Sequence, residues 1–405
     1  MTARVQALVG LLSAAVVGIV VGVTYSDASR VDQVNVPALQ TSTPHASRLP
    51  GGARHGGAKS GDPPSVQLGK LSPDQLAGQR VIYSYHGLTP PAGLLSQIRA
   101  GQAAGVIFFS DNISSEAQIK GVIARLQQAA MQSPVKEPLL MMTDQEGGEV
   151  RRLPGAPEQS EKQIGSSPQP VSAAREAGRG AGRNLRGVGM NVNLAPVLDV
   201  YRTPGNFIGQ YGRSYSSDPG TVATLGSAFI TAQQHTGVAA TGKHFPGLGA
   251  AAQSQNTDAG PVTLDVPLGQ LRSVDERPYG PAIAAGLKLV MVSWAVYPAL
   301  DPNRPAGLSP TVVQKELRGR LHFAGVTITD ALEAGALQAY GGISNKSVLA
   351  AKAGMDLLLC AKQAVRQGDH AVSALAGALR DQSLGSPAFM ASVKRVIALR
   401  SSLKG

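Results

Sequence analysis

The run Gly325-Val-Thr-Ile-Thr-Asp330-Ala-Leu ends an apolar stretch on a single carboxylate. Desolvation at the tip of a strand would raise the pKa of Asp330, while Lys243 and Arg213 would lower it and keep it anionic. An anionic carboxylate held rigidly can attack an electrophilic carbon; the competing reading is a helix cap. Lys243 and His244 adjoin each other in Thr241-Gly-Lys-His-Phe-Pro-Gly247, where another apolar run breaks into glycine and proline. No second and third ligand stand at metal-binding spacing from them, so they read as two donors aimed at hydroxyl groups. Asp144 opens Asp-Gln-Glu-Gly-Gly-Glu-Val-Arg-Arg152, whose glycines let backbone approach a ligand closely. It can accept hydrogen bonds from a pair of hydroxyls, or cap a turn. Arg213, in Gly212-Arg-Ser-Tyr, offers a planar fork of donors for a ring or acyl oxygen, with a structural ion pair as the alternative.

These residues follow short β-rich runs. Eight such runs occur, at Val81–Tyr85, Gly105–Phe109, Leu139–Thr143, Asn191–Leu194, Ala239–Thr241, Leu289–Ser293, Gly325–Thr329 and Asp356–Leu359. Helical patterns separate most of them. The clearest covers 115–131, with Ile119, Val122, Ile123, Leu126 and Ala130 on one face and Gln118 placed for a capping box. Asp218-Pro219 reads as an N-cap followed by proline at the first helical position. Eight strands alternating with helices over some 300 residues predict a single (β/α)₈ barrel, a TIM barrel of the α/β class. A doubly wound sheet is the rival, but no Gly-x-Gly-x-x-Gly turn follows the first strand. In a barrel the candidate residues, which follow strands three, four, five and seven, share the C-terminal face.

Composition narrows the function classes. Of 405 residues, 43% are hydrophobic and 16% charged, which is globular usage. The net charge is +11 without a run of five or six basic residues, and aromatics make up only 4%. That combination argues against a nucleic-acid partner, which would call for exposed stacking rings or a basic stripe. The one cysteine, Cys360, lies in an apolar run and reads as a buried core residue. Arg4 precedes an uncharged apolar stretch from Ala7 to Val23, followed by the small residues of Ser26-Asp-Ala28. This reads as an export signal or a retained signal anchor within residues 1–26, hence a secreted or membrane-tethered, extracytoplasmic protein. Residues 27–68, rich in Ser, Thr, Pro and Gly, predict a flexible linker whose His45 and His55 are a chance pair. The barrel is expected over 69–405.

Taken together, Asp-Gln-Glu-Gly-Gly, Asn-x-x-Pro-Val-Leu-Asp, Lys-His-Phe-Pro-Gly and Thr-Asp-Ala-Leu resemble the β-N-acetylhexosaminidase branch of glycoside hydrolase family 3. The similarity runs from about residue 72 to 400. It implies a single-domain barrel, a retaining mechanism, no cofactor and no metal, and an oligosaccharide or peptidoglycan-derived substrate. It also implies that Asp144, Arg213, Lys243 and His244 bind the non-reducing sugar, with Arg152 surviving from the same motif, and that Asp330 is the nucleophile.

Three positions depart from the branch. Glu149 stands where an arginine is usual, and Trp294 where a histidine usually follows strand six. The loop after Lys-His-Phe-Pro-Gly lacks the usual Asp-Ser-His, whose histidine is the general acid/base; it reads Leu248-Gly-Ala-Ala-Ala-Gln-Ser-Gln-Asn-Thr-Asp258. If Asn-Thr-Asp occupies that place, Asp258 replaces the histidine. A carboxylic acid can do this work if its surroundings raise its pKa toward neutrality. The resemblance therefore predicts release of terminal β-linked N-acetylglucosamine. The readings left open are a tethered glycan-binding protein that lost turnover, and a β-glycosidase or phosphorylase for another sugar. Oligomeric state is not legible.

Overall fold

The computed structural model describes residues 67–403. The expected export segment lies outside the described residues, as does the linker apart from Gln67 and Leu68. The fold opens on Ser72, whose hydroxyl accepts the Gln75 N–H while the Gln75 side chain accepts the Ser72 N–H. This reciprocal cap, with Pro73 at the first helical position, starts helix Pro73–Gly78.

Eight parallel strands then close a barrel: β1 (Val81–Tyr83), β2 (Gly105–Ile107), β3 (Leu140–Thr143), β4 (Val192–Asn193), β5 (Ala239–Phe245), β6 (Leu289–Val292), β7 (Val326–Ala331) and β8 (Leu357–Leu359). Each pairs with its sequence neighbours, and β8 returns to β1 through Val81 opposite Leu358. All eight runs expected from the sequence form strands. A strand buried on both faces has no polar alternation, so it appears in sequence as a short apolar block. Ile82, Met142, Leu194, Met291, Ile328 and Leu359 belong to the inner cluster, while Val81, Val106, Met141, Val290 and Leu358 pack outward among the helices. Cys360 is buried and unpaired.

The helix over Glu116–Met131 forms as expected, with one correction. Ser115 Oγ accepts the Gln118 N–H at 3.1 Å, but Gln118 Oε1 accepts from Ser114 rather than Ser115. The second half of the box is thus displaced by one residue. Asp218 caps helix Pro219–Gln234 through the Thr221 N–H at 2.6 Å.

The last helix, Ser386–Ser402, crosses the base of the barrel. Val396 and Leu399 join the inner cluster from below. Arg400 donates to the carbonyls of Glu137 and Pro138 just before β3, both at 2.8 Å. Arg395 and Arg318 reach the buried carboxylate of Asp356, at the foot of β8, at 2.8 and 2.6 Å.

Two strands are irregular where the chemistry is expected. Between Gly242 and Phe245 β5 spends three residues against two of β6, and between Ile328 and Ala331 β7 spends three against two of β8. Each is a bulge, which breaks the strict alternation of side chains. The strand β5 also runs four residues beyond the expected Thr241, because Lys243 and His244 find polar partners there instead of marking a loop.

Candidate active site

The bulges re-aim side chains. Lys243 and His244 are consecutive, yet both line one pocket at the C-terminal mouth of the barrel, and so do Asp330 and Ala331. The β7 bulge is satisfied from within, since Thr329 Oγ1 accepts the Leu359 N–H at 2.9 Å. The Asp330 carboxylate accepts the N–H of Ala331 at 2.8 Å and faces the pocket.

The same pocket, about 230 Å³, is lined by every catalytic or sugar-binding candidate of the sequence: Asp144, Arg152, Arg213, Lys243, His244, Asp258 and Asp330. Ile107, Phe109, Leu194, Phe207 and Leu248 are among its apolar walls.

Its wall beneath β3, β4 and β5 is a lattice of paired charges. Lys243 Nζ lies 2.7 Å from both Asp144 Oδ1 and Glu146 Oε1. The Arg213 fork grips Glu146 with two bonds of 2.9 Å. Burial alone would raise the pKa of Glu146, but Arg213 and Lys243 outweigh it and hold the carboxyl at about 2. Burial likewise works against the charge on Lys243, which Asp144 and Glu146 restore, leaving its pKa raised. Arg213 is therefore both an ion pair and a wall of the pocket, so its two sequence readings coexist. Lys243 thus answers both Asp144 and Glu146 at contact distance, and Arg213 answers Glu146.

His244 is oriented from behind. Asp199 Oδ2 lies 2.8 Å from its Nδ1, and Asp199 Oδ1 accepts the N–H groups of His244 and Leu248. A proton on Nδ1 leaves Nε2, which is 3.5 Å from Arg213 Nη2, free to face the pocket. Arg152 is held by its backbone, donating to Asp144 O and Gln145 Oε1, and its Nε is buried without a partner. A buried donor left unpaired is costly, so the site is completed when something accepts from it.

The ribbon carrying Asp144, Glu146 and Arg152 is tied shut by Gln145, whose amide donates to Leu153 O and Ala156 O. Gly147 and Gly148 have φ of 113° and 58°, and a Cβ on Gly147 would fall 2.2 Å from Gln159 O. Only glycine fits that turn. Glu149 is exposed and Trp294 is buried, its indole N–H donating to Ala331 O at 2.9 Å beside Asp330.

Asp258 sits across the mouth from this lattice. Its loop is pinned on one flank by Gly335 N–H to Asp258 O (2.8 Å) and Ala336 N–H to Thr257 O (2.9 Å). On the other flank Arg202 N–H and Asn206 Nδ2 both donate to Gly249 O. The residue as a whole is exposed, while its carboxyl lines the pocket. Desolvation there and the charge of Asp330 push its pKa up to about 6, against the smaller opposing pull of His244 and Arg213.

Residues 87–399 match the glycosyl hydrolase family 3 N-terminal domain. The chain belongs to glycosyl hydrolase family 3. Within it, this glycosidase is 46% identical over 329 residues to a protein of Arthroderma benhamiae described as an uncharacterized secreted glycosyl hydrolase, covering 81% of this chain and 93% of that one. It is 33% identical to a beta-hexosaminidase of Stenotrophomonas maltophilia, over 72% of this chain and 88% of the relative. Among solved family members, a β-N-acetylglucosaminidase from a Paenibacillus species superimposes with a TM-score of 0.77 at 33% identity, over 83% of this chain and 64% of its own. A β-N-acetylhexosaminidase from Beutenbergia cavernae gives 0.75 at 30% identity, over 82% and 99%.

Glu146 and Asp199 are the functional residues that sequence reasoning missed. Both lie inside quoted motifs, so composition marked the segments without saying which carboxylate would turn inward.

Proposed function

We propose that this family 3 glycosidase is a retaining exo-β-N-acetylglucosaminidase with Asp330 as nucleophile and Asp258 as general acid/base. The observation that carries the reading is a pair of carboxyl residues lining one small pocket. Asp330 projects from a bulged strand end, and Asp258 has a pKa pushed up to about 6. A carboxyl group with its pKa raised in this way can serve as an acid near neutral pH.

In this reading a terminal sugar lies against the lattice of Asp144, Lys243, Arg213 and His244, and its oxygens accept from Arg152. Protonated Asp258 gives its proton to the glycosidic oxygen as the bond to the anomeric carbon breaks. Asp330 forms a new bond to that carbon from the opposite face, leaving a glycosyl ester. Ionised Asp258 then takes a proton from water, whose oxygen attacks the anomeric carbon and frees Asp330. Two inversions give net retention. A pocket of about 230 Å³ suits a chain end rather than the middle of a polymer, hence exo action.

The sugar is inferred from the relatives named as hexosaminidases, and wall-derived or chitin-like glycans from the expected export. The apolar segment at Ala7–Val23 and a relative described as secreted support an extracytoplasmic location. Whether the segment is cleaved or retained as a membrane tether is read from the N-terminus of the mature protein.

The test is release of nitrophenol from α- and β-linked aryl glycosides by the wild type, Asp330→Asn and Asp258→Asn. Turnover of the β-N-acetylglucosaminide that disappears in Asp330→Asn is the expected result. A folded wild type inert on every β-glycoside would leave a glycan-binding protein in its place.

A further inference from the structure

One aromatic ring at the rim of the pocket is left over from the fold. Tyr211 is 43% exposed, one of three large hydrophobic side chains left open among the described residues. It packs edge-on against Phe207, with ring centroids 6.2 Å apart and planes at 84°. Phe207 is buried and lines the pocket, so Tyr211 stands one ring further out on the same wall. A single ring is too small a patch for a protein partner.

The turn that carries it is braced. Asn206 Oδ1 accepts the Gly209 N–H at 2.7 Å, and Asn206 Nδ2 donates to Gly249 O at 2.8 Å. Gln253 Nε2 donates to Gln210 Oε1 at 3.2 Å. The turn Gly209–Tyr211 leads directly into Arg213 of the charge lattice. Gly249 and Gln253 belong to the loop that carries Asp258. Tyr211 is thus fixed between the wall that holds the terminal sugar and the loop that would protonate its departing oxygen.

We propose that Tyr211 is the platform of a leaving-group subsite, stacking on the apolar face of the second pyranose of an oligosaccharide. The inference rests on the glycosidase reading above, with Asp258 beside the bond that breaks. A pyranose presents a face of C–H groups, and a tyrosine on a rigid turn covers it with little loss of side-chain freedom. The terminal sugar does not touch this ring, so Tyr211 governs preference for oligosaccharides rather than the chemical step.

The experiment compares wild type, Tyr211→Ala and Tyr211→Phe in two measurements. One is KM for a β-linked N-acetylglucosamine disaccharide. The other is inhibition of that reaction by free N-acetylglucosamine, which reports the inner pocket alone. Tyr211→Ala is expected to raise the disaccharide KM about fivefold and leave the monosaccharide inhibition constant within about twofold. Tyr211→Phe, which keeps the ring, should match the wild type in both. An unchanged KM in Tyr211→Ala, or a parallel shift of both constants, overturns the subsite. A wild type with no turnover of any β-glycoside is a different result, bringing down the reading beneath it and the subsite with it.

Discussion

The side chain that distinguishes this pocket is Asp258, and its titration has a definite sign. In the proposed mechanism cleavage needs it protonated, so kcat/KM for glycosides with poor leaving groups should fall as pH rises through about 6. Asp258→Asn should lose that limb altogether while keeping much of its kcat/KM on nitrophenyl substrates, whose leaving groups need no proton; a pH–rate profile on both substrate types checks this. In Asp258→Ala, added azide should restore turnover and yield the β-glycosyl azide, because azide needs no base to attack the glycosyl ester. A rescued product of α configuration would exclude the double-displacement scheme. Glu146 makes a different prediction. Its carboxylate neutralises both Lys243 and Arg213, so Glu146→Gln should leave two buried cations sharing Asp144. Loss of one partner from a buried pair typically costs about 3–5 kcal/mol. Stability measured in urea should therefore fall along with activity.

Strands and loops set where these groups point. Thr329 sustains the β7 bulge by accepting the Leu359 N–H, and Thr329→Val would leave that buried donor unpaired. The variant should lose about tenfold in kcat on aryl and alkyl glycosides alike, since it misplaces Asp330, the proposed nucleophile, and not Asp258; steady-state kinetics on both decide it. Gly335→Ala should do the reverse. Its Cβ would lie 2.4 Å from Ala259 O and lift the Asp258 loop, slowing alkyl glycosides far more than aryl ones. Legibility follows the same division. The eight strands were readable because burial on both faces leaves apolar blocks with sharp polar ends, and Asp144, Lys243, His244 and Asp330 were readable because they sit at those ends. The extension of β5 through His244 was not, since a polar pair after an apolar run looks like a loop until its partners are known. Glu146 and Asp199 were hidden for a related reason: which carboxylate of a motif turns inward depends on bulges and on cross-strand register, and neither has a signature in one sequence. The displaced capping bond at Ser114 belongs to the same class of detail.

For the whole molecule, the closure of the barrel joins residues far apart in the chain: Arg80 donates to the Asp356 carbonyl across 276 positions. The Asp356 carboxylate beneath β8 answers Arg318 and Arg395 and accepts the Thr327 N–H, tying the last helix to the sheet. Asp356→Asn should lower stability by about 3 kcal/mol, seen as a lower urea midpoint with an unchanged slope. Catalytic constants of the folded fraction should hardly change, because these bonds lie at the opposite end of the barrel from the pocket. The helix that floors the inner core follows all eight strands in the chain. A ribosome delivers all eight strands before Val396 and Leu399 exist to plug their base, and β1 must wait for β8 before its second edge is covered. The nascent barrel therefore cannot complete its interior until the helix behind β8 has been made.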